Sequence, residues 1–531
     1  NLPGNFTAST ASGVGFYQGV FSAVGPVDPA LLSGVPQGLL FQDAGGAIVN
    51  GGTLPLGSGR TLMLAGGSVV NTGSIVVPGG EIAISAVPTG NRLRLTPTGS
   101  LLSYDIAASP GSVDARLTPL SLPELLTGQA LGDISVQGDT VADASVEVAQ
   151  VAIPTEVGTV IVNGVLDVSN PDGRGGTLTI TGDTSGVIGA LLTAAGQSGG
   201  EIYVGGSYLG QGPLPNAQLT YTDGESVLDA SADLSGDEGQ VIVWSEQPPR
   251  SYGQIADRGG SAGGNGGVVE TSSRGFLDVG NAVPDITAPA GTAGTWLLDP
   301  GNIEIVVSPG PGLPLPAPFI PSGNNAILLT STLGTALDGG GTVVVSTVGA
   351  PGTQAGNITV SDQILYNGFA PATLELRAEG SIFINNDIVP ATAPLNPLPV
   401  RLIADGGNNG VGQVVVGTGA PLAINTSGGN LEIVANSSNL ITPDPSAIRV
   451  LNDASLSTLG GDITLNGTGG NRPGVNVELN SNLNSGGGNI SFLGTSNNAT
   501  GVLVNGTVTT NSGRLTLSGS SDRATTFGIH I

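Results

Sequence analysis

The chain has 531 residues, of which 89 are Gly, 39% are hydrophobic and only 10% are charged. Such a chain is too apolar for a disordered tail and too poor in charged helix formers for long solvent-exposed helices. With 14 basic against 40 acidic residues the net charge is −26, and every basic residue is Arg, which excludes non-specific binding to nucleic acid or to an anionic membrane surface.

Short alternating strands separated by Gly, Asn or Asp recur from the first hundred residues onward. They read GGAIVNGGTL from Gly45, GGSVVNTGSIVVPGGEIAIS from Gly66, GTVIVNGVLDVSN from Gly158 and GGTLTITGD from Gly175. Alternation with period two predicts that each strand buries one face. The spacers are too short for crossover helices, which excludes α/β folds. The segment from Ser103 to Asp133 breaks the pattern, and its best helix candidate runs from Pro123 to Leu126. The segments from Ser308 to Asn325 and from Val389 to Val400 are too Pro-rich for strands and are expected to be loops leaving the stack.

The last third shows the period most clearly. GDITL, GNISF and GRLTL place their second residues at Asp462, Asn489 and Arg514, steps of 27 and 25. GVNVEL, GVLVNG and GIHI begin at Gly474, Gly501 and Gly528, two steps of 27. Two interleaved series with one period predict a solenoid with two or three strands per coil, whereas a β-sandwich would return its strands every 8–12 residues with no longer repeat. Coils of about 25 residues stacked at about 4.8 Å would give roughly twenty coils and a rod on the order of 100 Å. Gly and Asn at the corners are expected to supply left-handed backbone.

There is no Cys, which removes disulfides, thiol chemistry and Cys-based metal sites. No apolar run reaches the roughly 18–20 residues of a membrane span. The sequence opens NLPGNFTAST without Met or a basic leader and stops in mid-pattern at TTFGIHI, so it reads as a piece of a longer chain.

The middle of the chain carries NPDGRGGTLTITGD, GGEIYVGGSYLGQGPLPNAQLTY, GDEGQVIVWSE, GQIADRGGSAGGNGGVVETSSRGFLDV and GTAGTWLLDPGNIEI in that order. These stretches resemble the large exoproteins of the filamentous-haemagglutinin family, exported by two-partner secretion. VIVWS from Val241 and TWLLDPGNI from Thr295 are the most specific, and the match spans roughly Gly158 to Ile305. The opening NLPGNFTASTASGVGF and GRTLMLAGGSVVNTGSIVVPGGEIAI are similar to coils of that family's secretion domain, although its asparagine-proline motifs are missing. The resemblance implies a right-handed parallel β-helix, passage through an outer-membrane transporter, and an extracellular or cell-surface location. Family members include adhesins, cytolysins and contact-dependent toxins.

Candidate chemistry is sparse. His530, the one His, sits beside the last residue, where a Ser-His-Asp triad is not expected. Acids cluster at Asp223, Glu225, Asp229, Asp233, Asp237 and Glu238, and an extended chain would put Asp223 and Glu225 on one face, as a glycosidase pair requires. Arg258 and Arg274 are the nearest basic groups for lyase chemistry, and neither sits in a lyase motif. Acidic loops at Asn170–Gly176 and Ser235–Gly239 are candidates for a structural Ca²⁺, without EF-hand or nonapeptide spacing. Trp244 and Trp296 lie in apolar strands and are expected in the core rather than stacked on sugars.

The sequence reading is an all-β, right-handed parallel β-helix with a few lateral loops or short helical insertions. It divides into an N-terminal β-helix at 1–110, an irregular insertion at 111–157, a haemagglutinin-like β-helix at 158–305, and repeats with Pro-rich loops at 306–531. The expected function is a secreted structural or adhesive rod, not an enzyme, with no catalytic residues, no cofactor beyond that candidate Ca²⁺, and no nucleic-acid partner. The expected partners are a cell-surface glycan or protein receptor, the transporter during export, and further copies of the chain. A self-assembling fibre or surface-layer subunit is the second reading, and a carbohydrate-active β-helix enzyme the third.

Overall fold

The computed structural model describes residues 4–23, 25–43, 45–95, 101–105, 157–236, 239–246, 250–275, 277–308, 325–349, 354–439, 446–523 and 526–531. The fold is a parallel β-solenoid, and it divides into two compact units. The first is Asn1–Glu270 with Ala288–Thr292; the second comprises Thr271–Thr287, Ala293–Gly310 and Gly323–Ile531. The helix expected at Pro123 to Leu126, nearly all of the 111–157 insertion and most of the Pro-rich segment after Ser308 lie outside the described residues.

In the first unit each coil visits three parallel sheets in turn. One coil runs through Thr61–Gly66, Ser68–Asn71 and Ser74–Val76, and the next begins at Glu81–Ala86. Leu62 sits in register with Ile82, and Ile82 with Leu178. Twice the chain leaves the stack to build an antiparallel five-stranded sheet from Gly13–Gly15, Val20–Ser22, Gly38–Phe41, Asn91–Leu95 and Leu101–Asp105. That sheet lies on the outer face of the first parallel sheet, where Leu39, Phe41 and Leu93 pack against Met63, Ala65 and Ala83.

This cover changes how the strands read. TLMLAG and EIAISA are buried on both faces past their first residue, because the stack interior takes Leu62, Leu64, Ile82 and Ile84 while the added sheet takes the residues between. Strands buried on both faces lose alternation and become continuous apolar runs. The expectation of one buried face per strand therefore fails for these two strands of the first unit, whereas EIYV and LTYT there keep the alternation. It holds in the second, where LEIVANS and ITLNGTG alternate buried and half-buried positions without a break.

The second unit also stacks three parallel sheets. Its last coils follow the sequence period: Ile463, Ile490 and Leu515 are in register, as are Val475, Val502 and Ile529. The third sheet adds Asn482–Asn484 over Thr507–Thr509. One corner repeats four times. Thr426, Thr458, Ser485 and Thr510 each donate a hydroxyl proton to the carbonyl three residues on, at Gly429, Gly461, Gly488 and Gly513. The following residue links the coils: Asn430 accepts from Asp462 N, Asp462 from Asn489 N, and Asn489 from Arg514 N.

The corner glycines serve a purpose beyond the left-handed backbone expected of them. A Cβ on Gly461 would stand 2.2 Å from Gly429 O, one on Gly488 2.1 Å from Gly461 O, and one on Gly513 1.8 Å from Gly488 O. Backbones stack too closely there for any side chain. The left-handed positions in these turns are shared, Gly428, Gly460, Gly486 and Gly487 with Ser427, Leu459 and Asn511.

One further expectation needs correction at its edges, and one element was not located in the sequence. Val389 and Pro390 are not in a departing loop: Ile388–Pro390 is a strand, with Tyr366 opposite Pro390. Proline fits because it is the strand's last residue, and the hydrogen bond to Tyr366 O comes from Ala391 N instead. An α-helix at Thr330–Gly339, in TSTLGTALDG, was not legible in the sequence, since Thr and Gly are weak helix formers and no side chain caps its start. It forms because Leu333, Ala336 and Leu337 are buried, and Gly334 lets it approach Leu365 O, where a Cβ would stand 2.6 Å away.

Asp338 ties this helix to the next turn, accepting from Asn367 N at 2.6 Å, Asn367 Nδ2 at 2.6 Å and Gly368 N at 3.2 Å. Asp338→Ala is expected to cost about 2 kcal/mol locally, because charged hydrogen bonds are lost and amides are left unpaired. Faster hydrogen exchange confined to residues 367–371 would register it, and unchanged exchange there would refute the anchoring role.

Candidate functional site

Asp223 and Glu225 do not share one face of an extended strand. Residues around Asp223 turn instead of extending, between the strands Leu219–Thr222 and Val227–Asp229. The Asp223 carboxylate accepts from Gly189 N, Ser226 N and Ser226 Oγ, so it fixes a turn and bridges to the preceding coil. Glu225 and Asp233 are exposed, and Asp229 accepts from Ser231 N. Asp237 and Glu238 lie outside the described residues.

The basic candidates are dispersed too. Arg258 reaches Asp229 at 3.8 Å and Ser231 Oγ at 3.3 Å, a structural bridge between coils. Arg274 is exposed. His530 lies on an exposed final strand with its ring 6.2 Å from that of Phe527.

In the NPDGRGG loop, Asn170–Arg174 is a strand whose Asp172 is exposed and whose Arg174 pairs with Glu201 at 2.8 Å. Among the described residues no three His, Asp or Glu side chains gather as a metal site.

Both tryptophans are buried, as expected. Trp296 donates through Nε1 to Thr271 Oγ1 at 3.0 Å. Trp244 faces outward from its sheet under a loop whose Gly210 lies directly on the indole, a Cβ there standing 2.2 Å from the ring. Fully buried Glu270 holds the loop down, accepting from Leu209 N at 3.1 and 2.9 Å. Leu209 adopts φ 58, the left-handed conformation this contact requires. Nothing in the local sequence announced Glu270, because the loop that meets it lies 61 residues earlier.

Two polar arrangements on outer faces also escaped the sequence. In the first unit the Tyr203 hydroxyl lies 3.2 Å from Glu201 Oε2 and 3.1 Å from Gln240 Oε1. Burial, then the charge of Glu201, pushes its phenol up to about 12. In the second, Glu375, Arg401 and Glu432 stand in register on consecutive strands, and Arg401 bonds both acids at 2.6 and 2.8 Å.

The best-formed contact surface is lateral, on the second unit. Phe369 and Leu395 are 67% and 82% exposed, far above the usual values for such side chains. Their loops are neighbours, because Asn396 Nδ2 donates to Gly368 O at 3.0 Å and Phe369 O at 3.4 Å. Asp338 pins the Phe369 loop from the other side. An exposed aromatic on a loop held from two sides is pre-organised for contact at little entropic cost.

Buried Asp299 is the other unusual group. Its residue is 9% exposed, its Oδ1 has no hydrogen-bond partner, and desolvation raises its carboxyl to about 7 despite a hydrogen bond from Ser346. Neither a known protein family nor any curated protein matches this sequence.

Proposed function

We propose that the chain is a secreted, surface-attached β-solenoid of the filamentous-haemagglutinin type, acting as a structural and adhesive element and not as an enzyme. Asp223 and Asp229 serve turns and coil-to-coil bridges, and Phe369 and Leu395 are exposed apolar groups on anchored lateral loops. The observation that carries the adhesive reading is the rigid display of Phe369 beside Leu395. The stretches VIVWS and TWLLDPGNI support the family assignment by resemblance. The export route, the extracellular location and the receptor class, a glycan or a protein, are parts of the same proposal.

Attachment tests it. The purified chain should bind cultured cells or a glycan array, and the double variant Phe369→Ala with Leu395→Ala should lose about tenfold or more in apparent affinity, as removal of exposed anchors does. Unchanged attachment would remove this surface from the proposal. Cleavage of an acidic polysaccharide by the purified chain would replace the adhesive reading with an enzymatic one.

A further inference from the structure

The strand Thr295–Leu298 ends on the dipeptide Asp299–Pro300, and the chain resumes as the strand Asn302–Val306. Both strands are held in place, Thr295 opposite Thr342 and Ile303 opposite Ile358. The peptide between them is fixed as well. Asp299 N donates to Ser272 Oγ at 3.1 Å, and Asp299 O accepts from Ser273 N at 3.2 Å. The Asp299 side chain is buried beside this bond with Oδ1 unpartnered.

Three features coincide here. A carboxyl oxygen without a partner can reach the carbonyl carbon of its own residue, closing a five-membered ring. The carbonyl oxygen already has a backbone N–H to stabilise developing negative charge. The nitrogen on the far side belongs to a proline, whose tertiary amide yields a secondary amine as leaving group.

We propose that Asp299–Pro300 is a self-cleaving peptide bond, broken by the side chain of Asp299. Oδ1 bonds to the Asp299 carbonyl carbon, the bond from that carbon to Pro300 N breaks, and the carboxyl proton passes to the departing proline nitrogen. The products are a cyclic anhydride at Asp299 and a free Pro300 amine. One water then adds to the anhydride and restores two carboxyl groups, leaving Asp299 as a new C-terminus. The raised carboxyl supports the scheme, since the proton delivered to Pro300 N is still in place near neutrality. The proposal concerns processing and is independent of what Phe369 binds.

The chain carries its own comparisons. Asp28–Pro29 is a second such bond, but the Asp28 carboxylate is engaged by Ala30 N at 3.0 Å. Asp444–Pro445 is a third, outside the described residues. The full chain should be incubated at 37 °C from about pH 4 to about pH 8 and read by denaturing mass spectrometry, because paired strands on either side would hold the fragments together in a native gel. The expected result is a fragment beginning Pro-Gly-Asn-Ile, released at least about tenfold faster than cleavage after Asp28, as positioned groups accelerate reaction.

In strong denaturant at acid pH the two bonds should cleave at similar rates, since the fold no longer distinguishes them. Asp299→Asn should abolish the native cleavage. Pro300→Ala, which keeps the acid and changes the leaving group, should slow it at least about tenfold while circular dichroism stays unchanged. Absence of the fragment at every pH in the native protein, or equal native rates after Asp28 and Asp299, would overturn the proposal.

Discussion

Gly461→Ala is expected to destabilise its part of the solenoid by about 3 kcal/mol or more, as overpacking against immovable atoms does. The added methyl would stand 2.2 Å from Gly429 O and 2.5 Å from Gly429 C, both backbone atoms of the neighbouring coil. Relief requires the coils to separate, and separation breaks the Asn430 to Asp462 link and the Leu431 to Ile463 pairing beside it. Stability in stacked repeats is a sum of local interfaces, so the damage should stay near this corner. Hydrogen exchange should rise in the coils around residues 426–514 and remain unchanged near residue 360. The comparison variant is Gly339→Ala at the end of the helix, where a Cβ meets nothing within 4 Å. That change should be neutral or stabilising by about 0.5 kcal/mol. Equal effects of the two substitutions would show that corner stacking is not what selects glycine.

Asp299 should make stability fall as pH rises. Its carboxyl is raised by burial from the ordinary 3.8 to about 7, so between those values the folded chain keeps a proton that the unfolded chain has released. The folded state is favoured fully below about pH 4, and that advantage is lost progressively as pH climbs to about 7. The ceiling is about 4 kcal/mol at 1.36 kcal/mol per pH unit, and screening and relaxation reduce it. Asp299→Asn removes the titration. The variant should therefore be more stable than the parent at pH 8, with the difference shrinking toward pH 4, in denaturant melts followed by hydrogen exchange at residues 295–306. A parent whose stability there is flat from pH 4 to pH 8 would mean that Asp299 is not buried as an acid.

The period was legible because corners that stack without room for a side chain must place glycine at each return, and residues 461, 488 and 513 do so. The inward Ile463, Ile490 and Leu515 follow from the same repeat. What the sequence hid was contact between distant segments. The antiparallel sheet joins residues near 14 and 39 to residues near 93, and no local pattern announces that pairing. The helix at Thr330–Gly339 is stabilised by burial rather than by its own propensity, and therefore carries no signal.

Candidate sites fared alike. The acidic cluster drew notice because charge is rare in this chain, yet Asp223 caps a turn. Asp299 stood in full view within TWLLDPGNI, but its burial and its hydrogen bonds with Ser272, Ser273 and Ser346 come from segments that the fold brings to it. Phe369 was unremarked, since exposure is a property of folds and not of residue types.

The repeated corner of the second unit also bears on mechanics. Strand-to-strand hydrogen bonds between successive coils point along the stacking direction. A pull on the last coil in that direction loads few of them at once, so coils should peel one after another at low force. A pull along the strands loads every bond of a coil together, in shear, and meets far greater resistance. The spacing from Ile463 to Ile490 is 27 residues, so each peeled coil would release about 90 Å of extended chain. The corners that close through Thr458 and Ser485 would act as serial fuses, yielding in steps and dissipating load instead of failing at once.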